Sequence, residues 1–188
     1  MLKGLVGGIV LGCLGLVSAT AGAQQVVHAL TGTVSSIDSA AKTITVFQDN
    51  GTQGEFSDGT SAKPHLAIDK KVSLDSTNGD AFKKTGTYAV VFYYGNDSSR
   101  TAVALKSLGA GPFSSATGTV VKFDSKHSIS IADSTGATQT FKISQDTIGE
   151  GYLGAVDGFK FQVSKGDKVR VVASAESGSP TALFVRLM

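Results

Sequence analysis

Apolar and polar residues alternate with a period of two along most of the chain after residue 27, a pattern typical of half-buried β-strands. Thr43–Gln48, for example, places Ile44 and Val46 on one face. Asp49-Asn50-Gly51 follows, and Asn-Gly tolerates the positive φ angles of a hairpin turn. The pattern predicts strands at Leu30–Ile37, Thr43–Gln48, Gln53–Ser57, Thr87–Tyr94, Arg100–Ser107, Thr117–Phe123, Ser128–Ala132, Thr138–Ile143, Lys168–Ser174 and Thr181–Leu187.

The same unit occurs twice. TGTVSSIDS at 31–39 matches TGTVVKFDS at 117–125 in six of nine positions. Further matches follow in the same order: Ile44 with Ile129, Phe56 with Phe141, Gly86 with Gly166, and Thr101-Ala102 with Thr181-Ala182. Three blocks in one order indicate a tandem duplication. We therefore divide the chain into units 24–110 and 111–188.

Five short antiparallel strands per unit predict an all-β protein made of two small five-stranded OB-like barrels. A β-sandwich spanning the duplicated chain is the alternative. Two irregular stretches, Gly59–Gly79 and Ser144–Gly158, separate the third strand from the fourth, and any helix is expected to be short and to lie there. Units of this size have marginal cores, which favours packing of one unit on the other.

Residues 1–23 have the pattern of a secretory signal peptide. Lys3 gives a positive start, an uncharged apolar stretch follows, and Ala21-Gly22-Ala23 is a small-residue cleavage site. An uncleaved membrane anchor is the alternative, but the apolar stretch is shorter than a spanning helix requires. Lipid attachment at Cys13 is disfavoured because few apolar residues precede it. We expect an exported protein, periplasmic or extracellular, with no membrane span after cleavage.

The 188 residues include 17 Lys+Arg, 15 Asp+Glu and one cysteine. A formal net charge of +2 is too small to attract nucleic acid strongly. The single cysteine excludes an intramolecular disulfide framework and a multi-thiolate zinc site, and it leaves with the signal peptide. No Gly-x-Ser-x-Gly elbow or phosphate-binding loop occurs, so neither catalysis nor a cofactor is predicted.

The fourth strands give the candidate binding surface. In the second unit, Lys168 and Arg170 lie on the face opposite Val169 and Val171, and that charged face is expected to be solvated. The corresponding face of the first unit carries aromatic and apolar residues, namely Tyr88, Val90, Phe92 and Tyr94. Monomers seldom expose such a stripe. Either the other unit or segment Gly59–Gly79 covers it, or Tyr88 and Tyr94 flank a groove for a ligand or partner.

Histidine and acidic residues give weaker indications. His28, His65 and His127 have no metal-ligand spacing. Asp38 and Asp124 follow the first strand of each unit, where an Asp side chain accepts hydrogen bonds from turn backbone. Asp75–Asp80 has some oxygen ligands but lacks the order and terminal Glu of an EF-hand. We therefore predict no metal site.

The repeated TGTV block with its Asp, the strands Thr43–Val46 and Ser128–Ile131, and Lys165-Gly166-Asp167-Lys168-Val169 resemble small exported bacterial β-barrel domains of unknown function, often present in tandem. The resemblance implies an OB-like barrel and a cell-envelope location, and it implies no catalytic residue. The layout is also similar to that of periplasmic copper-carrier barrels. Those bind copper through His, Met and Trp, whereas this chain has no Trp, which disfavours copper carriage.

The leading hypothesis is a non-enzymatic exported envelope protein that acts as a binding or structural module. Its candidate surface comprises Tyr88, Phe92, Tyr94, Lys168 and Arg170, and its partner would be an envelope protein or a small ligand. The second hypothesis is a periplasmic carrier or sensor for a small ligand or metal ion. Oligonucleotide binding, a third function of OB barrels, is disfavoured by the export signal and the low charge, so no nucleic-acid partner is predicted.

Overall fold

The computed structural model describes residues 25–59, 68, 72, 74, 84–96, 99–175 and 179–188, and every regular element in them is a β-strand. The all-β prediction is therefore confirmed. The strands are β1 (His28–Asp38), β2 (Thr43–Gln48), β3 (Gln53–Asp58), β4 (Tyr88–Tyr94), β5 (Thr101–Ser107), β6 (Phe113–Asp124), β7 (Ser128–Ala132), β8 (Thr138–Lys142), β9 (Ile148–Gly151), β10 (Gly154–Asp157), β11 (Lys168–Ser174) and β12 (Ala182–Leu187).

The first five strands form a closed barrel in the order β1-β2-β3-β5-β4, with β4 returning to pair with β1. All pairings are antiparallel except that of β3 with β5, where Ser57 pairs with Thr101 in parallel. The turn chemistry is as expected. The Asp38 carboxylate accepts bonds from the Ala40 and Ala41 amides at 2.9 and 2.8 Å.

The second sheet has seven strands in the order β10-β9-β12-β11-β6-β7-β8. The prediction of five strands was wrong here, because Ser144–Gly158 contains the hairpin β9–β10 and is not irregular. Ile148 and Ala155 of this hairpin are buried against the first barrel. This glycine-rich stretch has no period of two, and its strands are stabilised by burial against the first barrel. The sequence pattern therefore did not predict them.

The pairing register repeats with the sequence. A bulge lies between Val34 and Ser36 of β1, and another lies at the equivalent place in β6, between Val120 and Lys122. The parallel contact that closes the first barrel also recurs, as a single bridge between Lys142 and Thr181. Strands β6, β7, β8, β11 and β12 are thus the counterparts of β1 to β5, and the hairpin β9–β10 is an addition along β12.

The described residues form three apolar clusters. One fills the first barrel and includes Leu30, Phe56 and Val91. A second fills the interior of the second sheet around Phe141 and Phe161. The third lies between the two sheets, and we call it the interface cluster; it comprises Val27, Ala29, Val72, Val90, Phe92, Val103, Ala104, Ile148, Ala155, Val172 and Phe184. The two units therefore share a buried core.

The expected signal peptide, residues 1–23, lies outside the described residues, as does most of Gly59–Gly79, including Asp75–Asp80. Within the described part of the chain, no helix has the length and apolar content to cross a membrane.

Candidate functional site

The outer faces of β4 and β11 face each other across the interface. Val90 and Phe92 of β4 are fully buried there together with Val172 of β11. The segment after β3 also contributes, through Val72. The expectation that the charged face of β11 is solvated was therefore wrong, because the first barrel covers most of it. The aromatic stripe of β4 is covered by both of the elements considered from the sequence.

The five residues predicted as a binding surface lie in three environments. Phe92 is fully buried and leaves no surface for a ligand. Tyr88 and Tyr94 are half-buried beside the interface cluster, and Tyr88 stacks 4.9 Å from the ring of Phe113. Lys168 is exposed, whereas Arg170 is half-buried and reaches the first barrel. Only Tyr88 and Arg170 are brought together.

A row of three charged side chains crosses the face of the second sheet that meets the first barrel. Glu150 of β9 pairs in register with Arg186 of β12, and Arg186 pairs with Arg170 of β11. Register partners on neighbouring strands have side chains on the same face. The adjacent row on that face is apolar and buried, and it consists of Ile148, Phe184 and Val172. We call Glu150, Arg186 and Arg170 the charged row.

Arg170, at one end of the charged row, contacts Asp49 in the turn after β2. Its Nη2 lies 3.3 Å from Asp49 Oδ2, and its Nε donates to Ser115 Oγ at 3.2 Å. The same carboxylate oxygen accepts the hydroxyl of Thr31 at 2.5 Å and that of Tyr88 at 2.7 Å. Burial, reinforced by the hydrogen bond and charge of Asp49, raises the pKa of Tyr88 well above its usual value. Tyr88 therefore remains a protonated donor.

Glu150, at the other end, holds the start of β1. Its Oε1 lies 2.7 Å from His28 Nδ1, and its Oε2 accepts the backbone N–H of Ala29 at 2.7 Å. Burial raises the pKa of the Glu150 carboxyl, although the bonds from His28 and Ala29 and the charge of Arg186 act in the opposite direction. Burial raises the pKa of Tyr93, and the nearby charge of Glu150 acts in the same direction. Both oxygens of Glu150 are thus engaged by the first barrel.

A cleft of about 360 Å³ lies in front of the middle of the charged row. Its lining comprises Leu30, Thr31, Gln48, Asp49, Asn50, Arg170, Phe184, Arg186, Leu187 and Met188. Within the part of the chain that the structure describes, the half-buried Arg186 makes no hydrogen bond or ion pair. Clefts of this size between packed units are common places for small ligands.

Sequence reasoning missed Asp49, Glu150 and Arg186 as site residues. Arg186 corresponds to Lys106 in the repeat, so a basic residue at this position of both units was the one available indication. Asp49 was interpreted only as a turn residue. Glu150 lies in the hairpin that the pattern did not show. Their proximity results from the packing of one unit on the other.

We expect Glu150 to make stability depend on pH. Because its folded-state pKa is raised, its contribution to stability is complete below the pKa of the unfolded chain, about 4.3, and is lost as pH rises through the folded-state pKa. Glu150→Gln lacks this titration. Relative to the wild type, we expect this variant to gain of the order of 1 kcal/mol as pH rises from about 4 to 8.

The measurement is urea unfolding of both proteins across that pH range. Glu55→Gln is the matched control, since Glu55 is exposed on β3, and its difference from the wild type should stay constant. A constant difference for Glu150→Gln as well would contradict the assignment.

Among the residues that the structure describes, no group of three or more His, Cys, Asp or Glu side chains is placed to hold a metal ion. His127 lies 2.8 Å from Asp124 in the turn after β6, and His65 is outside the described residues.

Comparison with known proteins adds no family assignment. No protein-family model matches the chain, and no curated protein matches it significantly.

Proposed function

We propose that the protein is a non-enzymatic exported binding module and that its ligand site is the cleft between the two sheets. The observation that carries the proposal is Arg186, a half-buried cation that lines a cleft of about 360 Å³ and makes no hydrogen bond or ion pair within the described residues. Partly desolvated N–H donors without an acceptor are costly, and a bound ligand would supply the acceptor.

The chemistry of the lining favours binding over catalysis. Asp49 Oδ2 accepts two hydroxyl bonds and contacts Arg170, and the lining offers no free hydroxyl or thiol nucleophile for this carboxylate to activate. Thr31, the one hydroxyl residue of the lining, is 4 % exposed and bonded to Asp49. The remaining polar groups are amides and guanidinium groups, which orient a ligand and do not attack it.

The strand order supports an OB-like assignment for the barrel. A five-stranded, Greek-key closed barrel is the OB architecture, whose ligands bind on the face of the second and third strands and on the loops that follow the first and fourth strands. Here the turn between β2 and β3 supplies Asp49 and Asn50 to the cleft. Together with the signal-peptide pattern, this placement supports an exported carrier or sensor.

Blocking the cleft tests the proposal. Asn50 is exposed beside the cleft, so Asn50→Trp should fill the entrance, at the cost of the two exposed hydrogen bonds that Asn50 Oδ1 accepts from Thr52. We expect saturation-transfer NMR with a mixture of small organic acids, amines, sugars and nucleosides to show at least one bound compound with the wild type. Asn50→Trp should reduce that transfer at least fivefold.

Thr135→Trp is the matched control, because Thr135 precedes the positive-φ Gly136 as Asn50 precedes the positive-φ Gly51. Thr135 does not line the cleft, and the variant should bind as the wild type does. If no compound in the mixture shows transfer that depends on position 50, the binding function is wrong and a structural role takes its place.

A further inference from the structure

Arg186 lines the cleft, and neither of its register partners accepts a hydrogen bond from it. Of the two residues that pair with it in register, Arg170 carries the same charge. The other, Glu150, uses one oxygen for His28 and the other for the Ala29 amide. The Asp49 carboxylate at the far end is engaged by Arg170. The charge of Glu150 acts on Arg186 electrostatically, but among the described residues the Arg186 guanidinium donates no hydrogen bond, so its N–H groups remain available to a ligand.

We propose that the ligand is a small organic monocarboxylate with an apolar body, bound through Arg186; this inference rests on the proposed binding function. The planar guanidinium matches a carboxylate with two parallel N–H···O bonds, and such charge-assisted pairs are the strongest hydrogen bonds that an arginine makes. The geometric match of one guanidinium with one carboxylate is what favours a monocarboxylate.

Asp49 argues against a dianion. Its carboxylate lines the same cleft as Arg186, and a phosphate or dicarboxylate would bring a second negative charge towards it. Like charges in a partly desolvated site repel, so the cleft discriminates against such ligands.

The rest of the lining indicates the body of the ligand. Leu187 and Met188 provide accessible apolar surface, whereas Leu30 and Phe184 also line the cleft but are only 2 % and 1 % exposed. Leu187 and Met188 directly follow Arg186 in the chain, so apolar surface lies close to the guanidinium. Burial of a branched aliphatic group there would add to the affinity of the ion pair.

Asp49, on the lining of the cleft, can accept a hydrogen bond from a ligand. All contacts of Asp49 with Thr31, Tyr88 and Arg170 involve Oδ2. Oδ1 therefore remains an acceptor on the lining, and we expect a hydroxyl or amino group on the carboxylate to raise its affinity.

The test uses 4-methylpentanoate as the probe and isothermal titration calorimetry or NMR titration of the full chain. We expect the wild type to bind it, and to bind its uncharged amide at least tenfold more weakly. Arg186→Gln should weaken binding of the carboxylate at least tenfold. Arg186→Lys, which keeps the charge and loses the planar fork, should give an intermediate loss of about three- to fivefold.

Lys122→Gln is the matched control for charge, since Lys122 is an exposed cation of the same sheet, and its affinity should stay within twofold of the wild type. Urea unfolding of each variant shows whether it is folded; should Arg186→Gln fail to fold, Arg186→Lys and the amide decide. Inorganic phosphate at equal concentration should displace less than a tenth of the bound 4-methylpentanoate.

Equal affinity of Arg186→Gln and wild type, or tighter binding of phosphate than of the carboxylate, would overturn the inference. The proposed function fails separately. If a neutral compound binds in a manner that depends on Asn50 while 4-methylpentanoate does not bind, the cleft is a ligand site and the carboxylate assignment is wrong.

Discussion

Replacing Phe92 with alanine should destabilise the protein by about 3 to 5 kcal/mol, the usual cost of truncating a fully buried Phe. Its side chain is completely buried on the outer face of β4, where it packs with Val172 and Phe184 of the second sheet. The truncation leaves a cavity between two units that share one core. Urea unfolding monitored by circular dichroism gives the change in the free energy of unfolding.

Phe47→Ala is the matched control, because it deletes the same atoms from a side chain that is 49 % exposed. We expect a loss below about 1 kcal/mol for this variant. A loss for Phe92→Ala no larger than that for Phe47→Ala would mean that the interface cluster does not stabilise the chain, and the cleft beside it would then have no rigid wall.

Replacing Gly118 with alanine should cost about 2 to 3 kcal/mol through overpacking. A Cβ at this position would lie 2.5 Å from the carbonyl oxygen of Ala132 on β7. Because that oxygen belongs to the backbone, the clash is relieved only by displacing the neighbouring strand. Gly32, its counterpart in the repeat, would meet the carbonyl oxygen of Phe47 at 2.5 Å, so Gly32→Ala should give a loss of the same order.

Gly151→Ala is the control for glycine in a strand. Its Cβ would find nothing closer than the Phe161 ring at 3.6 Å, so the variant should be within about 0.5 kcal/mol of the wild type or slightly more stable. Thermal and urea unfolding of all three variants provide the comparison. If Gly118→Ala is as stable as Gly151→Ala, β6 and β7 can move apart at little cost, and the prediction of overpacking is wrong.

Gly32 and Gly118 explain why glycine occurs at the same position of both repeats. The TGTV block was recognisable as a duplication, but the chain alone did not say why glycine stands at its second position. The structure places each of these glycines where the second strand of its sheet approaches closely, just before the bulge at Val34 or Val120. A side chain there would prevent the approach.

The candidate site was less predictable than the strands. Arg170 and Tyr88 were identified because alternation assigns outer faces reliably, and the structure joins both to Asp49. Arg186 and Glu150 were missed because nothing in a single strand shows which outer residues a second sheet will cover. Whether an outer face is buried depends on the surface that packs against it, and the alternation along one strand describes only the strand's own surface.

Most of the β-strands, their turns and the duplication could be predicted from the residues alone, because a period of two and glycine at turns are local consequences of backbone geometry. Only the tertiary structure decided that the outer faces of β4 and β11 meet, that Ile148–Asp157 forms a hairpin, and that a cleft remains in front of Arg186. Those features depend on long-range burial of apolar surface between the units, which is non-directional, so the alternation along one strand does not show which other surface will cover it.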